Sequence, residues 1–274
     1  MENSKILYIS QEITPFLPSS EISETARHLP QHLLESGNEI RVFMPRFGCI
    51  NERRHQLHEV IRLSGMNLVI DDADHPLIIK VASIPSARMQ VYFIDNEEFF
   101  QRKAVLSDEN GKSFEDNDER SYFFCKGVLE TVKKLGWKPD IVHCHGWMTA
   151  MVPFFIKNIY HEDPHFEGSK LVYTAYDSGF ENSLDKRLLS KYEYEEIETD
   201  KVQYLKEPTF ANINKLAFDH SDAIVMGSKN LPKDVMKMIK SSGKPTLEYQ
   251  DEDKYRDAHK KFYEEVFNET SVLA

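Results

Sequence analysis

Three short segments of this 274-residue chain carry side chains that could do chemistry. The first is His143-Cys144-His145, which ends the apolar run begun by Ile141-Val142. On a strand, His143 and His145 share one face and Cys144 takes the other. Two ligands do not make a zinc site unless the fold adds a further His, Cys or carboxylate, so no metal is expected. His145-Gly146-Trp147 stands where a strand gives way to a helix. α/β sheets gather ligand-binding groups at the carboxyl ends of their strands. His145 is therefore a candidate for contact with a ligand, the alternative being a structural hydrogen bond. The second segment is Asp116-Asn117-Asp118-Glu119-Arg120. Its simplest reading is a helix start, with Asn117 or Asp118 as the cap and acids at the positive end of the helix dipole. The third is Asp177-Ser178-Gly179, which follows the apolar run Leu171-Val172-Tyr173-Thr174 and reads first as a turn.

The elements that must position these residues follow an α/β rhythm. Lys5-Ile6-Leu7-Tyr8-Ile9-Ser10 predicts an inner parallel strand. Ser19-Ser20 predicts a cap for a helix over 21–36, with Pro30 kinking or breaking it and Gly37-Asn38 stopping it. Ile40 to Met44 predicts a second strand, and this βαβ opening points to a doubly wound sheet. Short runs at 59–63, 66–70, 77–82 and 90–94 predict an antiparallel ribbon inserted in the sheet, which returns at 91–94. Residues 95–118 read as an exposed loop with a short helix. A helix over 122–135, the strand 141–145, a helix over 147–160 bent at Pro153, and a strand over 170–174 come next. The charged stretch 180–208, with Tyr192, Tyr194 and Tyr204, reads as a mobile excursion or a pair of exposed helices. A helix over 212–220, a strand over 223–226 and a helix over 231–239 complete the pattern. A Ser-Ser-Gly-Lys-Pro linker then leads to an amphipathic helix over 254–267.

Composition and missing motifs narrow the function. The net charge of −11 argues against nucleic acid and against an anionic membrane surface. No run approaches the roughly 18 apolar residues of a membrane span, and the N-terminus lacks the pattern of a secretory signal. Three cysteines suit a reducing compartment, so the expected location is the cytoplasm. The turn after the first strand, Gln11 to Glu21, contains no glycine, which excludes a dinucleotide fingerprint or a P-loop there. No cofactor is expected.

Five segments carry a family resemblance: Ile6 to Glu12, Arg41 to Phe47, Asp116 to Arg120, Pro139-Asp140-Ile141-Val142-His143-Cys144-His145-Gly146-Trp147-Met148-Thr149-Ala150, and Ser221 to Val225. In this order they resemble the N-terminal domain of bacterial glycogen synthases and plant starch synthases, the ADP-glucose-dependent glucan glucosyltransferases. The resemblance covers about residues 5–239. It implies a single Rossmann-like domain over 1–243, the N-terminal half of a GT-B fold. Residues 244–274 would be a linker and a helix packing back on it.

The resemblance also implies site residues and departures. Asp116, Asn117 and Arg120 match the family's Asp-Asn-x-x-Arg pattern, and His145 its strand-end His. Asp177 falls in the loop where the family has Ile-His-Asn. These five are the expected sugar-binding residues, and no catalytic residue is assigned. The family's Lys-x-Gly-Gly-Leu loop, which approaches the donor phosphates, is replaced by Pro18-Ser19-Ser20-Glu21-Ile22. No second Rossmann unit follows Lys240, where two domains would need roughly 400 residues. The expectation is a glycogen/starch synthase-like protein that does not transfer glucose unaided. The alternative is a non-catalytic glucan-binding or regulatory partner of a complete glycogen synthase. Expected partners are a glucan or small sugar, and a full-length synthase or a second copy of the chain.

Overall fold

A computed structural model describes residues 3–194 and 197–268. Met1, Glu2 and residues 269–274, which the expected boundaries include, lie outside the described residues, as do 195–196 and the side chain of Tyr194. Ten strands form one assembly: β1 Lys5–Ser10, β2 Glu39–Pro45, β3 His58–Glu59, β4 Met66–Ile70, β5 Ala73–Ile84, β6 Met89–Asp95, β7 Ile141–His145, β8 Lys170–Ala175, β9 Ala223–Met226 and β10 Thr246–Leu247. The helices are α1 Glu21–Glu35, α2 Glu52–His55, α3 Glu97–Phe100, α4 Asn117–Lys134, α5 Met151–Asn158, α6 Leu188–Tyr194, α7 Phe210–His220, α8 Lys233–Ser241 and α9 Tyr255–Asn268.

The sheet order is β10-β9-β8-β7-β1-β2-β6-β5-β3, with β4 paired to β5. Pairing is parallel from β10 to β6. It turns antiparallel only at β6-β5, β5-β3 and β5-β4. The expected doubly wound sheet with a ribbon at one end is therefore the observed fold. The inner strands β1, β7 and β8 are buried on both faces, as sequences covered by helices on each side must be. The chain order reverses between β1 and β7, where Ser10 pairs with His145. That reversal opens a crevice at the strand ends.

Several expectations are corrected. Pro30 does not break α1, which runs unbroken over fifteen residues. The run 59–63 gives only the tip of a strand, His58–Glu59, before a turn. α4 begins at Asn117, so Asn117 and Asp118 lie inside it and Asp116 is the N-cap. Asp116 makes no capping bond because its carboxylate is held by the Arg102 guanidinium, with Nη1–Oδ1 at 2.8 Å. The helix after Trp147 starts as a 3₁₀ turn, Trp147–Thr149. β10, an edge strand on β9, was not anticipated from the linker sequence.

The 180–208 stretch is not simply exposed. Leu188, Tyr192, Val202 and Leu205 are buried. Lys191 is buried too, and its ammonium lies 2.6 Å from both Asp118 and Glu119. This ion cluster fastens α6 to the first turn of α4. Burial raises the Asp118 carboxyl pKa, outweighing the opposing pull of Lys191.

Candidate functional site

The strand-end crevice between β1 and β7 is filled by the chain itself. Gln11, 1% exposed, accepts the Met148 amide on Oε1 at 3.3 Å. Gly146 sits at φ +83°, and a Cβ there would collide with the Gln11 side chain. Only glycine combines that backbone with so close an approach.

Below this plug lies a dry histidine cluster. His143 and His145 do share a face, with ring centroids 3.9 Å apart. His143 Nε2 meets Thr174 Oγ1 at 2.6 Å, and its Nδ1 meets the Tyr263 hydroxyl at 2.5 Å. The Tyr263 hydroxyl continues to that of Tyr8 at 2.8 Å. His145 Nδ1 meets the Tyr176 hydroxyl at 3.0 Å, and its ring stacks on Tyr8. Burial pushes His145 down to about 3, helped by the charge of His259, and burial likewise drives His143 well below its usual value. Both imidazoles are neutral near pH 7. His145 Nε2 has no hydrogen-bond partner among the described residues. One nitrogen of His145 is thus bonded structurally, and the other is equally buried.

The Asp116–Arg120 segment forms a second cluster. Arg120 is fully buried and donates from Nε to the Phe99 carbonyl and from Nη1 to Asn117 Oδ1. Its guanidinium lies over the Phe47, Phe100 and Phe114 rings. Burial lowers the Arg120 pKa to about 10, with the charge of Arg102 adding to the effect. Asn117 Nδ2 donates to the Leu106 carbonyl at 2.8 Å. Asn117, Asp118 and Arg120 are buried and hold the wall from inside. Asp177 is exposed at the end of β8, its amide bonded to Ser228 Oγ. Among the described residues no hydrogen bond joins its side chain to either cluster.

A cavity of about 550 Å³ touches the second cluster, with Asn117, Trp147, Phe114 and Phe180 in its walls. The Trp147 and Phe180 rings meet edge to face at 4.9 Å. Trp147 Nε1 is buried with no partner among the described residues. Trp147 and Asn117 are 2% exposed and both Asn117 amide atoms are already bonded, so the half-buried Phe114 and Phe180 rings are the aromatic surfaces this cavity offers to an apolar ring face.

The start of α1 is the loop where glycines and lysine were expected and not found. Ser20 Oγ accepts the Ser23 amide at 3.1 Å and donates to Glu12 Oε2 at 2.6 Å. Ser23 Oγ accepts the Ser20 amide at 2.8 Å, completing the capping box. Glu21 accepts from Ser228 Oγ. The helix end that could attract a phosphate is thus capped by its own serines and bordered by two carboxylates.

The starch synthase catalytic domain family matches residues 5–247. This chain belongs to that family. Members of this family are glycogen/starch synthase-like glucosyltransferases. The chain is 38% identical over 196 residues to a glycogen synthase of Chlorobium luteolum, covering 71% of this chain and 40% of the relative. It is 40% identical over 176 residues to that of Chlorobaculum tepidum, covering 64% of this chain and 36% of the relative. The chain thus spans about two fifths of the length of these curated relatives. The catalytic domain of Arabidopsis thaliana starch synthase IV, solved with ADP and acarbose, superposes with a TM-score of 0.74 at 16% identity. That match covers 91% of this chain and 52% of the other, so the family fold here is the N-terminal half of a GT-B enzyme. Among the described residues no helix is long and apolar enough to cross a membrane.

The sequence reading missed Tyr8, Gln11, Lys191, His259 and Tyr263 as parts of the site's frame. One signal was available: His259, Phe262, Tyr263 and Val266 follow helical spacing, and all four are buried on α9.

Proposed function

We propose that this domain binds a glucan or small sugar and does not transfer glucose from a nucleotide donor on its own. The observation that carries this reading is the start of α1. A retaining transfer must stabilise a departing diphosphate. Glu21 stands where the family presents its second glycine and Glu12 bonds Ser20 at the first, and their charge repels that group. The sugar-facing wall is retained, with Trp147 and Phe180 beside Asn117. In this reading Phe180 and Trp147 border the sugar while Asp116, Asn117 and Arg120 hold the wall in place, and His145 and Asp177, which do not line that cavity, are separate proposed contacts at the strand ends. We take residues 1–243 as the domain and 244–274 as the linker and returning helix. The bond between Tyr263 and Tyr8 supports that division.

Two measurements on the purified chain test the reading. Glycogen in a native gel is expected to retard the protein, and Trp147→Ala to reduce the retardation. Labelled ADP-glucose is expected to give no incorporation into glycogen. Robust turnover by the chain alone would overturn the proposal.

A further inference from the structure

Between α7 and α9 the charges of the chain are sorted by sign. Residues 229–244 hold five lysines and one aspartate, and residues 248–253 hold four acids and no lysine or arginine. In a chain of net charge −11, the first run is a local excess of positive charge. Lys244 is used within the fold, its ammonium donating to the Phe218, Asp219 and Ser221 carbonyls at the end of α7. Lys229, Lys233, Lys237 and Lys240 are exposed, as are Glu248, Asp251, Glu252 and Asp253. None of these eight has an ion-pair partner among the described residues.

The two runs share one stretch of surface. Met226, Lys229, Met236, Lys240, Glu248 and Tyr249 wall a cavity of about 540 Å³. Met226 and Tyr249 also wall the neighbouring cavity, which Glu252 borders. Lys233 and Lys237 extend the positive side along α8, around Leu231 and Met236. Met226, Met236 and Tyr249 are half-buried, so an apolar strip lies between a positive flank and a negative one. An apolar centre with a charged rim is the anatomy of a protein interface. The acidic run lies beyond residue 247, where the family match stops.

We propose that this strip is a self-complementary surface on which a second copy of the chain docks. A nucleic acid or an anionic membrane would meet the lysines and be repelled by the acids beside them. A polycation would meet the reverse. The surface that matches carries both signs in the opposite order. A second copy, rotated by half a turn about an axis through the Met226 and Tyr249 strip, presents that order. Its lysines face the acids of the first copy, and its acids face the lysines. The apolar residues of the two copies meet at the centre. Such a two-fold contact is closed, so assembly stops at a dimer. This surface goes beyond the glucan-binding reading, which concerns the wall at Phe180.

Sedimentation velocity on the purified chain tests it. A dimer is expected at low salt, with a dissociation constant that rises at least about tenfold between about 0.05 and about 0.5 M salt. The variant Lys229→Glu/Lys237→Glu/Lys240→Glu makes both flanks negative, and Glu248→Lys/Glu252→Lys/Asp253→Lys makes both positive. All six positions are exposed, so the core is untouched. Each variant alone is expected to be monomeric, and an equimolar mixture of the two to sediment as a heterodimer. A wild-type chain that stays monomeric at about 100 μM in low salt overturns the inference, and so does a mixture that stays monomeric. A dimer that survives either charge reversal places the contact elsewhere and overturns it too. Species larger than a dimer overturn the two-fold arrangement. Binding of phosphatidylserine vesicles by a chain that stays monomeric assigns the lysines to a lipid surface instead. None of these outcomes bears on the glycogen retardation that tests the earlier reading.

Discussion

Acid should unfold this protein through its buried histidines. His143, His145 and His259 lie together around α9, all buried. His143 is 3.9 Å from His145 and 6.0 Å from His259, ring centre to ring centre. Burial lowers all three below 6.5, to about 3 for His145 and about 4 for His259. In the unfolded chain each titrates near ~6.5. The folded values are the lower ones, so below pH 6.5 the unfolded chain binds more protons. Their contribution to stability is complete above about pH 6.5 and is lost as the pH falls toward the folded values. At pH 5.5 an unfolded histidine carries about 0.9 proton, while folded His145 and His259 carry almost none. These two give a slope of about 2 kcal/mol per pH unit, and His143 adds in the same direction. Between pH 7 and pH 5 the two remove about 4 kcal/mol, a large part of the stability of many domains, about 5–15 kcal/mol. The hydrogen-bond partners of the three rings are the hydroxyls of Thr174, Tyr176 and Tyr263 and the Tyr255 carbonyl, none of them charged. Urea unfolding followed by circular dichroism at several pH values reads the slope directly. His259→Gln should flatten it by about one proton, roughly 1 kcal/mol per pH unit at pH 5.5. A wild-type slope below about one proton between pH 5 and 6, or equal slopes in both proteins, would refute the argument.

Two further substitutions probe the frame of the site. Asp118→Asn leaves the buried Lys191 ammonium with Glu119 alone. It should cost about 2–3 kcal/mol in urea unfolding, less than the 3–5 of a fully stranded charge, and adding Lys191→Met should recover most of the loss. Gly146→Ala places a Cβ at φ +83° against Gln11 and should cost at least about 2 kcal/mol by the same measurement, part of which Gln11→Ala restores.

Elements with continuous apolar runs were legible in the sequence because their burial is set locally. β1, β7 and β8 need helices on both faces and read as such. The polar frame was less legible because its partners are remote. Lys191 is 73 residues from Asp118, and nothing in the charged stretch around it announces a buried pair. The same holds for His143, whose partner Tyr263 is 120 residues away. At the candidate site, Asp116 to Arg120 look like a solvated helix start. Their inward orientation follows from Arg102 and the Phe47, Phe100 and Phe114 rings, which come from separate parts of the chain. The α1 loop was the most legible functional feature, since the exchange of lysine and two glycines for Pro18, Ser20 and Glu21 is local.

The hydroxyl contact between Tyr8 and Tyr263 joins residues 255 positions apart, from the first strand to α9. During synthesis the strand that carries His143 and His145 leaves the ribosome well before that helix exists. Until α9 docks, this side of the sheet stays wet and its imidazoles can take up protons. Loop closure over such a span is slow compared with local strand and helix formation. The interval before closure is therefore the time in which a nascent chain is most open to acid, to proteases and to chaperones that hold uncovered apolar surface.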